Sequence, residues 1–188
     1  MTGGALKSLA TAIVCAIFLT LGIAGPRAEP ASSPKAPAEY MVKAAFLYNF
    51  AKFTQWPEGT FPEGGPLSVC VYGQDPFGKA LQSIVGKSIR GHEITVQTVT
   101  TIEASAACHL LFIGESEQER LGAILEALVG KPVLTIADFP DFARSGGIIR
   151  LKTNKEKKIR FVINIGTAKR AGLQLSSKLL NLAEIVSN

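Results

Sequence analysis

Apolar positions along the chain fall into short blocks separated by Gly, Pro and polar residues, and their spacing changes from helical to alternating. Residues 40–57 (YMVKAAFLYNFAKFTQWP) place Val42, Phe46, Asn49, Phe50, Phe53 and Trp56 on one helical face. The far side, with Ala44, Leu47, Tyr48 and Ala51, is only weakly polar, which predicts a core helix stopped by Pro57. Residues 67–72 (LSVCVY) alternate as a strand that ends at Gly73. Asp75-Pro76 reads as an N-cap and first helical position, opening a helix through Leu81, Ile84 and Val85. Residues 87–92 (KSIRGH) read as a polar connection, and 93–99 (EITVQTV) as a second alternating strand.

The continuous apolar run 108–113 (CHLLFI) predicts a strand buried on both faces. Ser116-Glu117-Gln118-Glu119 has the form of a capping box for a helix through Leu128, with Leu121, Ile124 and Leu125 in its core stripe. Residues 133–137 (VLTIA) form another short buried strand. The segments 148–152 and 159–165 predict a hairpin across a polar turn, and 176–186 a final helix with Leu179, Leu180, Ala183 and Val186 inward. This order predicts a single three-layer α/β domain: a mixed, partly parallel sheet flanked by helices, a C-terminal β-hairpin at one edge and a C-terminal helix.

The N-terminus changes the picture of where this domain works. Lys7 precedes an apolar run of about fifteen residues, short of a bilayer span. Small residues and prolines follow, the pattern of a secretory signal peptide over residues 1–28, with cleavage after Ala24 or Ala28. An uncleaved signal anchor is the competing reading. Residues 29–39 are a Pro/Ala-rich linker, and 40–188 form the α/β domain. Export is expected to place the mature protein outside the cytoplasm. Removing Lys7 and Arg27 lowers the formal charge from +5 to +3, too small an excess to indicate nucleic-acid binding.

Cys15 leaves with the signal peptide, so Cys70 and Cys108 remain as a pair in an oxidising compartment. A disulfide between them is expected, either as a structural staple or as a redox-responsive bond. His92 and His109 have no second His or Cys at ligand spacing, so no metal and no cofactor are expected. The chain contains no HExxH, GxSxG, Walker or GxGxxG motif, and an enzyme is not expected. The loop 138–147 (DFPDFARSGG) follows a buried strand, where α/β folds bind ligands in the crevice beyond the strand ends. Asp138, Phe139, Asp141, Phe142 and Arg144 are therefore candidates for a partner or ligand loop, against the alternative that both phenylalanines are core. Asn49 and Asn164, set in apolar sequence, read as buried amides that pin neighbouring backbone. The run 152–160 (KTNKEKKIR) is a solvated hairpin tip or a basic patch for an acidic surface or anionic lipid.

The segments KAAFLYNFAKFTQWP, VCVYGQDPFG, GGIIRL and RFVINIGTAKRAGLQLSSKLLNLA, with the spacing of Cys70 and Cys108, resemble the YfiR family of bacterial periplasmic proteins over residues 39–187. The resemblance implies a regulator that represses an inner-membrane diguanylate cyclase through its periplasmic sensor domain, lowering cyclic di-GMP and biofilm formation. It further implies sequestration by an OmpA-like outer-membrane lipoprotein; a homodimer is a separate candidate partner state. A disulfide at the places of Cys70 and Cys108 belongs to that fold. The second cysteine pair of the best-known member, around the segment matching residues 144–151, is absent here. The alternative function is a periplasmic small-molecule sensor feeding another membrane signalling system.

Overall fold

The computed structural model describes residues 37–187, which lie in one compact unit, Lys35–Asn188. The expected signal peptide, residues 1–28, and residues 29–36 of the expected linker lie outside the described residues. Helix α1 (Pro37–Lys52) leads to a two-residue strand, β1 (Thr54–Gln55), and then to β2 (Leu67–Tyr72). A hairpin of β3 (Ser88–Ile89) and β4 (His92–Val99) follows, then the short helix α2 (Ile102–Ser105) and β5 (Leu110–Ile113). Helix α3 (Leu121–Ala127), strand β6 (Leu134–Ala137) and the hairpin of β7 (Ile149–Thr153) and β8 (Ile159–Asn164) come next. The chain closes with α4 (Ile165–Arg170), β9 (Gln174–Leu175), α5 (Ser177–Leu180) and β10 (Glu184–Val186).

Eight strands form one sheet in the order β10-β8-β7-β6-β5-β2-β4-β3. Strands β4, β2, β5, β6 and β7 are mutually parallel. The two hairpins are antiparallel, and β10 lies parallel to β8. The fold class predicted from the sequence is the one observed. Every residue of β5 and β6 is buried, as continuous apolar runs require in a sheet covered on both faces. Alternate side chains feed two cores. Val69, Val71, Leu110, Phe112 and Ile136 pack under α1, while Cys70, Tyr72, Leu111, Ile113 and Ala137 pack under α3.

Several elements differ from the sequence reading, each for an identifiable reason. Helix α1 starts at Pro37, inside the expected linker, and ends at Lys52 rather than Trp56. Thr54 and Gln55 pair with Leu175 and Gln174, and this strand pairing competes with the helix for the same backbone. The buried stripe of α1 is Tyr40, Lys43, Ala44, Leu47, Phe50 and Ala51, whereas Val42 is 47% exposed. Asn49 is exposed, so it is not a buried amide. After Asp75 the chain forms a 3-10 helix, Gly78–Ser83, and Asp75 Oδ1 accepts the Phe77 N–H in a local turn rather than capping a long helix.

The connection 87–92 contains β3, because Arg90 and Gly91 both adopt positive φ and close a tight hairpin. Ser116 does not cap its own helix. Its Oγ accepts the Gln74 N–H at 2.9 Å, and the chain makes a 3-10 turn, Glu115–Arg120, before α3 begins. The last helix spans Ser177–Leu180 only. Glu184–Val186 instead pair with β8, satisfying backbone groups that would otherwise line an open sheet edge. The β7–β8 hairpin therefore lies one strand inside the edge.

Candidate functional site

Strands β2, β5 and β6 run parallel, so their carboxyl ends meet at one end of the sheet, and the N-terminal part of α1 reaches that end. Asp138 is the first residue after β6, and its side chain is only 2% exposed. Lys43, whose side chain is also 2% exposed, reaches it from α1 at 2.5 Å. The same ammonium contacts Glu39, one helical turn earlier, at 2.6 Å. Tyr40 donates its hydroxyl to Asp138 Oδ2 at 3.0 Å and packs edge-on against Phe77, with ring centroids 5.1 Å apart. Glu39 in turn accepts the Thr153 hydroxyl at 2.8 Å, joining α1 to the end of β7.

Burial, and then the Asp138 carboxylate, hold the Tyr40 phenol well above its usual range, so it remains a donor. A buried cation between two carboxylates, with a protonated phenol beside them, is a satisfied network. It fixes where α1 meets the strand ends. It offers no paired nucleophile and base, and its charges are consumed by one another rather than aimed at an open cleft.

The residues singled out in loop 138–147 separate into three groups. Asp138 joins the network with Lys43. Phe139 and Phe142 are 1% and 0% exposed and meet edge to face in the core beneath α3, so for them the core reading holds. Asp141, with φ 57°, and Arg144 lie on the surface. Arg144 directs part of its field to Glu184 on β10. The Glu184 carboxyl is held below its usual range first by the Lys152 hydrogen bond, with Arg144 and Arg150 adding to it. Asn164 is fully buried; it donates to the Ala143 carbonyl at 2.8 Å and accepts the Thr167 N–H at 3.0 Å, anchoring this loop to the start of α4. Lys43 and Tyr40 were not singled out from the sequence. A lysine inside an apolar helix stripe three residues after a tyrosine was the available signal.

Cys70 and Cys108 are bonded, with Cα atoms 6.0 Å apart. They are 0% and 3% exposed within the core under α3, which seals the bond from solvent. His109, the next residue, stacks on Phe61 at 4.4 Å, and His92 stacks on the opposite face of the same ring at 4.2 Å. Among the described residues no three His, Cys, Asp or Glu side chains form a group able to hold a metal ion. A cavity of about 480 Å³ lies between α3 and α4, lined by Leu125, Leu128, Val133, Ile148 and Ala171.

A sequence model of the family described as YfiR/HmsC-like matches residues 40–184. The chain belongs to the YfiR/HmsC-like family. That membership supports the general class of a regulator in cyclic di-GMP signalling, in a family that is regulatory rather than catalytic. No curated protein matches the chain in sequence. Among solved structures, a conserved domain protein from Vibrio cholerae shares the fold, with a TM-score of 0.53 and 10% identity over 79% of this chain. This chain spans 60% of that protein's length. An ABC domain from Streptococcus pneumonia, solved in complex with L-Trp, aligns with a TM-score of 0.44 and 8% identity over 63% of this chain and 55% of its own.

Proposed function

We propose that this YfiR/HmsC-like protein is a periplasmic repressor. It binds the periplasmic sensor domain of an inner-membrane diguanylate cyclase and holds the enzyme inactive, lowering cyclic di-GMP and biofilm formation. The observation that carries this reading is the family match over residues 40–184, nearly the whole described domain. The sealed disulfide suits an oxidising compartment. An OmpA-like outer-membrane lipoprotein that sequesters the repressor, and a homodimer, are the further partners of this reading. Deletion of the gene is expected to raise cyclic di-GMP and biofilm, and the protein is expected to co-purify with the cyclase sensor domain. Unchanged cyclic di-GMP in the deletion strain, with no cyclase recovered on the purified protein, overturns it.

The alternative is a small-molecule sensor feeding another membrane signalling system. It is favoured by the cavity of about 480 Å³ between α3 and α4, which is mostly apolar and reaches Gly146 of loop 138–147. A thermal-shift screen separates the two. A ligand present at about a hundred times its Kd raises stability by about 2.7 kcal/mol. The absence of such a shift across amino acids, nucleotides and other metabolites removes the sensor reading.

A further inference from the structure

One face of strands β7 and β8 packs under α1 through Ile149, Leu151, Ile159, Phe161 and Ile163; the other turns half-exposed and exposed charged side chains outward. The register sets Arg150 beside Val162, Lys152 beside Arg160, and Glu184 beside Val162, so Arg150, Lys152, Arg160 and Glu184 share the outward face. The connection from β8 to β10 crosses the opposite face, where Ala168, Leu173 and Leu179 enter the core under α1. At the hairpin turn Lys155, Lys157 and Lys158 are all exposed.

The charge balance is concentrated here. Residues 150–160 hold six of the chain's 20 Lys and Arg and one of its 15 acids. The formal charge of the whole chain is +5, so this hairpin carries the entire excess and the rest of the sequence is neutral in sum. Lys152 pairs with Glu184 at 2.5 Å, and Lys158 with Glu156 at 3.6 Å. Arg150, Lys155, Lys157 and Arg160 form no ion pair among the described residues, and the Nε of Arg150 is buried without a hydrogen-bond acceptor.

The composition of this surface distinguishes between two kinds of occupant. Protein interfaces are anchored by buried aromatic and apolar side chains and are depleted in lysine. This surface is lysine-rich and has no aromatic side chain, and Val162 at its centre is only 5% exposed. Adsorption to anionic headgroups needs only clustered Lys and Arg, each contributing about fivefold to the partition coefficient.

We propose that the β7–β8 hairpin and the outward face beside it dock on an anionic lipid surface. This goes beyond the repressor reading and does not depend on it. The test is sedimentation of the compact unit Lys35–Asn188, which lacks the apolar leader, with vesicles of equal parts phosphatidylglycerol and phosphatidylcholine. The protein is expected to sediment with these vesicles and not with phosphatidylcholine alone. Raising salt from about 0.1 M to about 1 M shortens the screening length from about 10 Å to about 3 Å and is expected to release it.

The triple variant Lys155→Glu/Lys157→Glu/Arg160→Glu changes only exposed side chains. It is expected to keep its circular dichroism spectrum and to lose about 100-fold or more in partition. The control Lys169→Glu/Lys178→Glu, also exposed but outside the hairpin, is expected to bind like wild type. Failure to sediment with the anionic vesicles overturns the proposal, as does equal sedimentation of the triple variant. Retention on polyglutamate beads without vesicle binding also overturns it, and would identify an acidic polypeptide as the occupant.

Discussion

Lys43 of α1 and Asp138 at the end of β6 are 95 residues apart in sequence and 2.5 Å apart in the fold, each with a side chain 2% exposed. Their contact joins the helix that opens the domain to the carboxyl end of a central strand. Two desolvated charges persist there because the geometry satisfies both: Tyr40 supplies a second hydrogen bond to Asp138, and Glu39 a second carboxylate to Lys43. An ion pair of this kind specifies an arrangement more than it adds net stability.

Removing one partner alone leaves the other charge buried. Lys43→Met and Asp138→Asn are each expected to destabilise the domain by about 3–5 kcal/mol in urea unfolding. The double change Lys43→Met/Asp138→Leu is expected to recover a large part of that loss, because no uncompensated charge remains. Additive losses in the double variant would show that the two side chains act independently.

The Cys70–Cys108 bond joins residues 38 apart in sequence. Cross-linking a loop of that length is expected to contribute about 3–4 kcal/mol on the chain-entropy model. Cys70→Ser and Cys108→Ser are expected to lower the urea midpoint by similar amounts, since each breaks the same bond. Because the sulfurs are sealed in the core, millimolar reductant without denaturant is expected to leave the bond intact by mass spectrometry. Free thiols appearing under native conditions would point to a bond that opens in function.

Asn164 serves two elements at once, through its amide to the Ala143 carbonyl and through its oxygen at the first turn of α4. Asn164→Ala orphans a buried carbonyl and uncaps the helix, for an expected loss of about 1–3 kcal/mol. Asn164→Asp retains the acceptor but replaces the donor with a buried charge, and is expected to be at least as damaging. Calorimetric midpoints of the two variants make this comparison. A milder effect in the aspartate variant would place the weight on the cap rather than on the loop.

The strands were the most legible part of this chain because their signals are local. LLFI and the run around LTIA are too short for helices and too apolar for anything but a doubly covered strand. The face of α1 was misread because the true stripe includes a lysine. Hydropathy scores Lys43 as outward, and only the partner 95 residues away makes its burial tolerable. Strand β10 was hidden for a similar reason. Its three residues suit a helix end locally, and the open edge of β8 decides otherwise. The β3–β4 turn uses Arg90 and Gly91 at positive φ, without the Asn-Gly pair that marks such turns in sequence. Of the candidate site, Asp138 and the cysteine pair were readable from position and compartment, whereas Lys43 and Tyr40 depend on tertiary contact.

His109 gives the fold a dependence on acid. Its Nδ1 accepts the Ser68 N–H at 3.0 Å, which requires an unprotonated nitrogen, and Nε2 faces the Thr60 carbonyl at 3.5 Å. Burial lowers its pKa first, and His92 across the Phe61 ring lowers it further. The unfolded chain therefore binds this proton at higher pH than the native state does, near the ordinary histidine value of about 6.5. The stabilisation is fully present above that pH and is lost as pH falls toward the depressed native value. Urea midpoints are expected to be flat from about pH 7 to 8 and to fall below about pH 6. His109→Phe keeps the stack on Phe61 but cannot take up the proton, so its midpoint is expected to be lower at neutral pH and to fall less on acidification. An acid slope as steep as that of wild type in this variant would assign the effect to other groups.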